Sequence, residues 1–382
     1  MTTKRTVQAV ISAVVVAAAI SAWAQKPPAP PPLQSPEVGP DGRVTFRLRS
    51  PNAQQVWLDR DGDKPVPMKK DDQGVWSVTT NPLAPDFYAY SFDVDGVGLI
   101  DPSNPAMQPN LLATTSVVHV PGPVTLPWEA NDVPHGAIHQ HFYRSSVVGD
   151  DHDYYVYTPP GYDPRAERLY PVLCLLHGFS DDARAWTAVG RANVILDNLI
   201  AEGKAKPMLV VMPLGYGAPE IVRRGGPGFH DENLRQRNWD RFRAALLTEV
   251  MPKVMNDYRV VRDRNSWAIA GLSMGGSESL LTGLNTLDRF AWVGAFSSGG
   301  LRDGFEAQFP GLDAKANAQL HLLWISCGTE DHLIDINRKL HAWLTSKGIQ
   351  HSFVETPGEH SWMVWRRNLS NYVPLLFQSN TP

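Results

Sequence analysis

The hydrophobic pattern of this chain changes period near Phe142, and that change limits the folds open to it. From Gly42 to about Val120 the apolar residues alternate in short runs, VTFRL, QVWLD, VWSVT and FYAYSFDVDG, parted by turn signals such as Asp61-Gly62 and Asp95-Gly96. A period of two puts one face of each strand in a core and the other in water, and no helical periodicity of useful length competes with it. Residues 37–122 are therefore expected to form a small immunoglobulin-like β-sandwich. From Phe142 onward, wholly apolar runs alternate with amphipathic helices, which demands a mainly parallel sheet covered on both faces. Strands are expected at Tyr154–Thr158, Val172–Leu176, Met208–Met212, Trp267–Leu272, Trp292–Ser297, Leu320–Ser326 and His351–Glu355. Helices are expected at Ala185–Glu202, Arg241–Tyr258, Met274–Leu284 and Asp335–Ser346, with a last one from about Trp362. This α/β domain takes residues 142–382, and residues 123–141 read as the linker to it.

The N-terminus sets the expected compartment. Lys4 and Arg5 precede an Ala/Val/Ile run from Val7 to Ile20, and Ala22-Trp23-Ala24 offers small residues where a signal peptidase reads, so residues 1–24 are expected to be a secretory signal peptide. As a membrane anchor the run is too Ala-rich, is interrupted by Ser12, and falls short of the ~20 strongly apolar residues a span needs. The mature chain is thus expected to be secreted or periplasmic, with no membrane anchor and with residues 25–36 as a Pro-rich, extended spacer. The 35 basic and 39 acidic residues are dispersed, which argues against nucleic acid or an anionic membrane as partner. Cys174 and Cys327 each sit in an apolar strand-like run and are expected to be buried free thiols, because the topology separates the two strands.

Chemistry collects at strand ends. Gly271-Leu272-Ser273-Met274-Gly275-Gly276 is a G-x-S-x-G at the end of one expected strand, followed at once by a helix. The pattern alone arises by accident, but in a strand-turn-helix context the glycines have a reason, since side chains beside so sharp a turn would collide. The amide of Met274 would then be one oxyanion donor, and the loop Leu176-His177-Gly178-Phe179 would supply the second through Phe179, with Gly178 as fallback. His177 is expected chiefly to shape that loop. An α/β-hydrolase carries its acid and base after the serine in the order Asp, His. Cys327-Gly328-Thr329-Glu330-Asp331 and Pro357-Gly358-Glu359-His360-Ser361-Trp362 follow later strands in that order, so Asp331, in preference to Glu330, and His360 complete the set. His332 follows the acid too closely to be oriented by it, and His321 and His351 begin strands. His135, His139 and His141 lie in the linker without a carboxylate cluster, and Asp150, Asp151 and Asp153 lack calcium-loop spacing, so neither a metal nor any other cofactor is expected.

Several of these stretches carry a family resemblance. Tyr157-Thr158-Pro159-Pro160-Gly161-Tyr162, Leu176-His177-Gly178, the run from Gly190 to Ile200, Gly271 to Gly276, Cys327 to Asp331 and Gly358 to Trp362 resemble the secreted feruloyl and acetylxylan esterases, carbohydrate esterase family 1, relatives of esterase D and the enterochelin esterases. The resemblance runs from about Ser35 to the C-terminus, and the sandwich resembles the E-set, family 48 carbohydrate-binding-like module that precedes such esterases. It implies a triad of Ser273, Asp331 and His360 and an exported serine esterase acting on feruloyl or acetyl esters of xylan. Other esters, a siderophore lactone or a glucose ester, and acyl transfer to a sugar are the alternatives within the enzyme class. A glycan-binding protein is the alternative outside it. For a polysaccharide or phenolic-ester partner, Trp186 and Trp362 are the expected cleft aromatics, beside His177 and Gly178. Tyr216, Phe229 and Trp365 are further candidates, and Gly215 to Arg237 is expected to overhang the site as a polar loop. In the sandwich, Tyr88, Tyr90 and Phe92 share a face, with Trp57 and Trp76 on other strands, either as core or as a glycan platform.

Overall fold

Ten short strands come first in the computed structural model, which describes residues 32–226 and 228–378. The expected signal peptide and most of the Pro-rich spacer lie outside the described residues. The strands are β1 (Glu37–Val38), β2 (Val44–Arg49), β3 (Val56–Arg60), β4 (Val66–Pro67), β5 (Lys69–Lys70), β6 (Val75–Thr79), β7 (Asp86–Val94), β8 (Val97–Leu99), β9 (Met107–Gln108) and β10 (Thr115–Val120). One sheet has the order β1-β2-β6-β5 and the other β4-β3-β7-β10-β9, with β8 on β7, and every pairing is antiparallel. Val44, Phe46 and Leu48 alternate inward against Tyr88, Tyr90 and Phe92, so the period of two does form a core between the sheets. Tyr88, Tyr90, Phe92 and Trp76 are all buried in that core, which removes them as a glycan platform; Trp57 is half-buried.

The second part is an eight-stranded sheet flanked by helices. Its strands are β11 (Ala137–Arg144), β12 (Asp151–Thr158), β13 (Val172–Leu176), β14 (Leu209–Pro213), β15 (Trp267–Leu272), β16 (Trp292–Phe296), β17 (Leu322–Gly328) and β18 (Ser352–Thr356), in the order β11-β12-β14-β13-β15-β16-β17-β18. From β14 to β18 the neighbours run parallel, while β11 and β12 are antiparallel, so the sheet is mixed with a parallel majority. Every residue of β13, β14, β15 and β16 is buried, which is why those segments read as unbroken apolar runs. Cys174 on β13 and Cys327 on β17 are buried free thiols with β15 and β16 between their strands.

Two expectations are corrected here. Residues 123–141 are not a free linker: β11 starts at Ala137 and forms a sheet edge, and Trp128 is buried against the α/β core. The edge strand AIHQHFYR is mostly exposed, so it lacks the alternation that marks a half-buried strand. The helix expected at Arg241 begins at Glu232, where the Asp231 carboxylate accepts the Leu234 N–H at 2.9 Å and caps the first turn.

From Ser35 onward the chain is one compact unit, and a buried ion pair helps to weld its two parts. The Arg366 guanidinium, on the helix Trp362–Tyr372, donates to Asp86 of β7 at 2.9 Å and to the Phe87 carbonyl at 2.8 Å. Trp128 Nε1–H donates to the same carboxylate at 3.0 Å. Both charges are almost fully buried, so loss of either partner leaves the other uncompensated, a cost of about 3–5 kcal/mol.

Candidate active site

The nucleophile turn is built by close backbone approach. Ser273 has φ of 51°, in the left-handed region that a side chain rarely adopts, and it sits between β15 and the helix Met274–Gly283. A Cβ on Gly271 would lie 2.5 Å from the Gly275 carbonyl oxygen, and one on Gly275 would lie 2.5 Å from that of His177. Any larger residue at either position forces the turn away from β13. The strained serine is held by its own backbone: Ser273 N–H donates to Phe296 O at 2.8 Å, and Gly299 N–H donates to Ser273 O at 2.9 Å.

Three sequence-distant side chains meet there. Ser273 Oγ is 3.0 Å from His360 Nε2, and His360 Nδ1 is 2.9 and 3.1 Å from the two Asp331 oxygens. The acceptor-only carboxylate fixes the proton on Nδ1, which leaves Nε2 to accept from the serine. Burial alone would raise the Asp331 pKa. The His360 bond and charge, with the Leu333 N–H at 2.8 Å, outweigh it and hold the carboxyl below its ordinary range. Glu330 is exposed and has another job, accepting the Gly358 N–H while its own N–H donates to Gly358 O, so the acid and base loops are zipped together. Among the described residues, the one cluster with donors close enough for a metal is Asp331, His332 and His360, two of which are already committed to this relay.

His177 is a different kind of histidine. Its Nδ1–H donates to the Gly178 carbonyl at 2.8 Å, and its Nε2 accepts the Gly215 N–H at 2.8 Å. A carbonyl can only accept and an amide N–H can only donate, so the ring is locked neutral, and burial pushes its pKa down to about 4. His177 therefore shapes the loop and offers nothing to a substrate. Gly178 and Phe179 do face the space beside Ser273, and Met274 is the first residue of the helix that follows it.

That space is a cavity of about 200 Å³ lined by Ser273, His360, Gly178, Phe179, Trp362 and Trp365, among others. Trp186 is corrected: it is fully buried, its Nε1–H donates to Leu176 O at 2.8 Å, and it backs Trp362 edge-to-face at 5.1 Å. Trp365 continues the edge-to-face cluster, meeting Trp362 at 5.3 Å and the His360 ring at 4.8 Å. Tyr216 is buried, and Phe229 packs on Phe179 at 5.3 Å behind the cavity wall. No described residue of the Gly215 to Arg237 segment is among those lining the cavity; the segment packs beside it, with Tyr216 bonded to Asp181 O, Phe229 against Phe179 and Arg224 bonded to the Leu112 carbonyl. A larger cavity of about 470 Å³, lined by Trp239, Arg243 and Glu278, contains none of the triad. The residues missed by sequence reasoning come from the sandwich: Asp61, Gln108 and Asn110 line the catalytic cavity, and no local pattern marks them.

Comparison with known proteins fits this geometry. The chain matches the putative esterase family over residues 145–376, which include all of Ser273, Asp331 and His360. The chain belongs to the putative esterase family. Among the relatives of this chain is an endo-1,4-beta-xylanase/feruloyl esterase of Xylanibacter ruminicola, 29% identical over 350 residues, covering 90% of this chain and 46% of that protein. The chain spans about half the length of the curated relatives it matches first, 46% and 56%. Among solved structures, a ferulic acid esterase is similar at 25% identity with a TM-score of 0.54, covering 63% of this chain and 97% of its own. The enterobactin esterase of Shigella flexneri shares the fold at 19% identity with a TM-score of 0.63, covering 87% of this chain and 92% of its own.

Proposed function

We propose that the protein is an exported serine esterase that hydrolyses carboxylic esters on plant cell-wall polysaccharide, feruloyl or acetyl esters of xylan, through an acyl-enzyme. The observation that carries the chemistry is the continuous chain from Ser273 through His360 to Asp331, opening on a cavity beside Gly178 and Phe179. His360 takes the Ser273 proton as Oγ attacks the ester carbonyl, and Asp331 stabilises the imidazolium. The amides of Met274 and Phe179 are assigned to the developing oxyanion. His360 then protonates the leaving alcohol, and a water activated by the same ring releases the acid. Trp362 and Trp365, set edge-to-face, give one wall an aromatic lining, suited to a phenolic acyl group. The relative named xylanase/feruloyl esterase supports this substrate class, and the N-terminal run of residues 1–24 supports export. The sandwich is read as an E-set module, and Asp61, Gln108 and Asn110 in the cavity lining support its lying on the substrate side.

The test is a panel of initial rates for mature chain 25–382 on methyl ferulate, acetylated xylan and p-nitrophenyl acetate. Preference for ferulate or xylan esters is the expected result. Turnover of the activated ester alone would discard the cell-wall reading and move the search to lactones and glucose esters.

A further inference from the structure

The oxyanion loop is held from outside its own domain. Beyond Phe179 the chain turns at Ser180, whose φ of 67° is again in the left-handed region for a non-glycine residue. Such a conformation persists only where neighbours over-determine it. Here the neighbours are sandwich residues: Leu111 N–H donates to Ser180 O at 2.8 Å, and the Asn110 side-chain amide donates to Ser180 Oγ and to Asp181 Oδ1, both at 3.0 Å. The other side of that amide is used as well, since Asn110 Oδ1 accepts the N–H groups of Leu112 and Ala113 at 3.0 Å each. Asn110 is thus a two-sided bracket, with its acceptor folding its own loop and its two hydrogens gripping the turn.

The grip reaches the donor peptide by a short path. Asp181 N–H returns to Gly178 O at 3.3 Å, closing a turn around Phe179, and Tyr216 O–H donates to Asp181 O at 2.8 Å from the other side. Asp181 is buried, so the Asn110 bond is a main source of polar compensation for its carboxyl. Displacement of such a support by a fraction of an ångström moves the amide assigned to the oxyanion.

We propose that Asn110 is a positioning residue for the oxyanion turn, so that the sandwich is a working part of the catalytic centre and not a separable appendage. This rests on the esterase reading above, and it concerns the rate of the chemical step, not the identity of the ester. Asn110→Asp is the informative change because it keeps the acceptor for Leu112 and Ala113 and replaces the donating NH2 by a carboxylate oxygen set against Asp181, with the assay run above pH 8 so that Asp181 has no proton to share. The swapped pair Asn110→Asp with Asp181→Asn restores a donor and an acceptor in reversed order.

The experiment measures the rate at which a fluorophosphonate phosphonylates Ser273, with kcat and KM for p-nitrophenyl acetate and the melting temperature recorded alongside. In that reaction Ser273 Oγ displaces fluoride at phosphorus, and the phosphoryl oxygen occupies the oxyanion position, so no particular ester is needed. Asn110→Asp is expected to slow labelling and lower kcat by about ten- to a hundredfold with KM within about twofold, the scale of misplacing one donor. The swapped pair is expected to recover to within about threefold of wild type. A folded Asn110→Asp that labels at the wild-type rate, or a folded swap that stays slow, overturns the proposal. If Asn110→Asp does not fold, the swap alone decides in the same way. Wild type that resists the fluorophosphonate overturns the esterase reading itself.

Discussion

The loops after β13 and β18 invite comparison, because each carries a histidine at the C-terminal end of a parallel strand and each borders the same cavity. His177 lies between two backbone groups, the Gly178 carbonyl and the Gly215 N–H. His360 lies between two side chains, the Asp331 carboxylate and the Ser273 hydroxyl. The first ring cannot take a proton on Nε2 without breaking its bond to Gly215, so it serves as a fixed strut. The second can take one, because the hydroxyl that donates to it can give up its hydrogen and the carboxylate gains from a charged ring. What makes a histidine catalytic here is the chemistry of its neighbours, since position at a strand end is common to both.

That contrast can be broken by mutation. The largest effect is expected for His360→Ala, with kcat for p-nitrophenyl acetate falling by about 10³ or more, because the whole proton path runs through that ring. The smallest is expected for His177→Gln, whose amide can accept from Gly215 and donate to Gly178; kcat should stay within about threefold, measured on the same ester. His177→Gln should instead change stability against pH. The folded pKa of His177 is depressed to about 4 from 6.5, so its contribution is complete above 6.5 and is lost as pH falls toward 4. Denaturation at pH 4.5 and 7.5 should show wild type losing up to about 3 kcal/mol relative to His177→Gln over that interval. Asp181 has the opposite sign, because burial pushes its carboxyl up to about 7: its contribution is present at low pH and lost as pH rises through 7. Both proteins share it, so it cancels in the difference.

The sequence made one half of this comparison legible and left the other half obscure. Gly271, Ser273 and Gly275 are readable because the turn's steric demands are local, and Asp331 and His360 because strand ends collect catalytic groups in a known order. Trp186 misled because its place past a catalytic loop resembles that of Trp362, while only the packing shows it fully buried behind that ring. Strand β11 was hidden by its exposed edge, which leaves no burial period to read. The sandwich's share of the site was hidden for another reason: Asn110 meets Ser180 and Asp181 across 70 and 71 positions, and a contact of that range leaves no mark on either local segment.

The central claim is that Ser273, driven by His360 and Asp331, is the nucleophile of an ester hydrolase. The most direct measurement is the initial rate of p-nitrophenyl acetate hydrolysis by wild type and by Ser273→Ala, each shown to be folded by its melting temperature. The account predicts a loss of at least about 10³ in kcat with the melting temperature nearly unchanged, and a loss of only a few fold would contradict it.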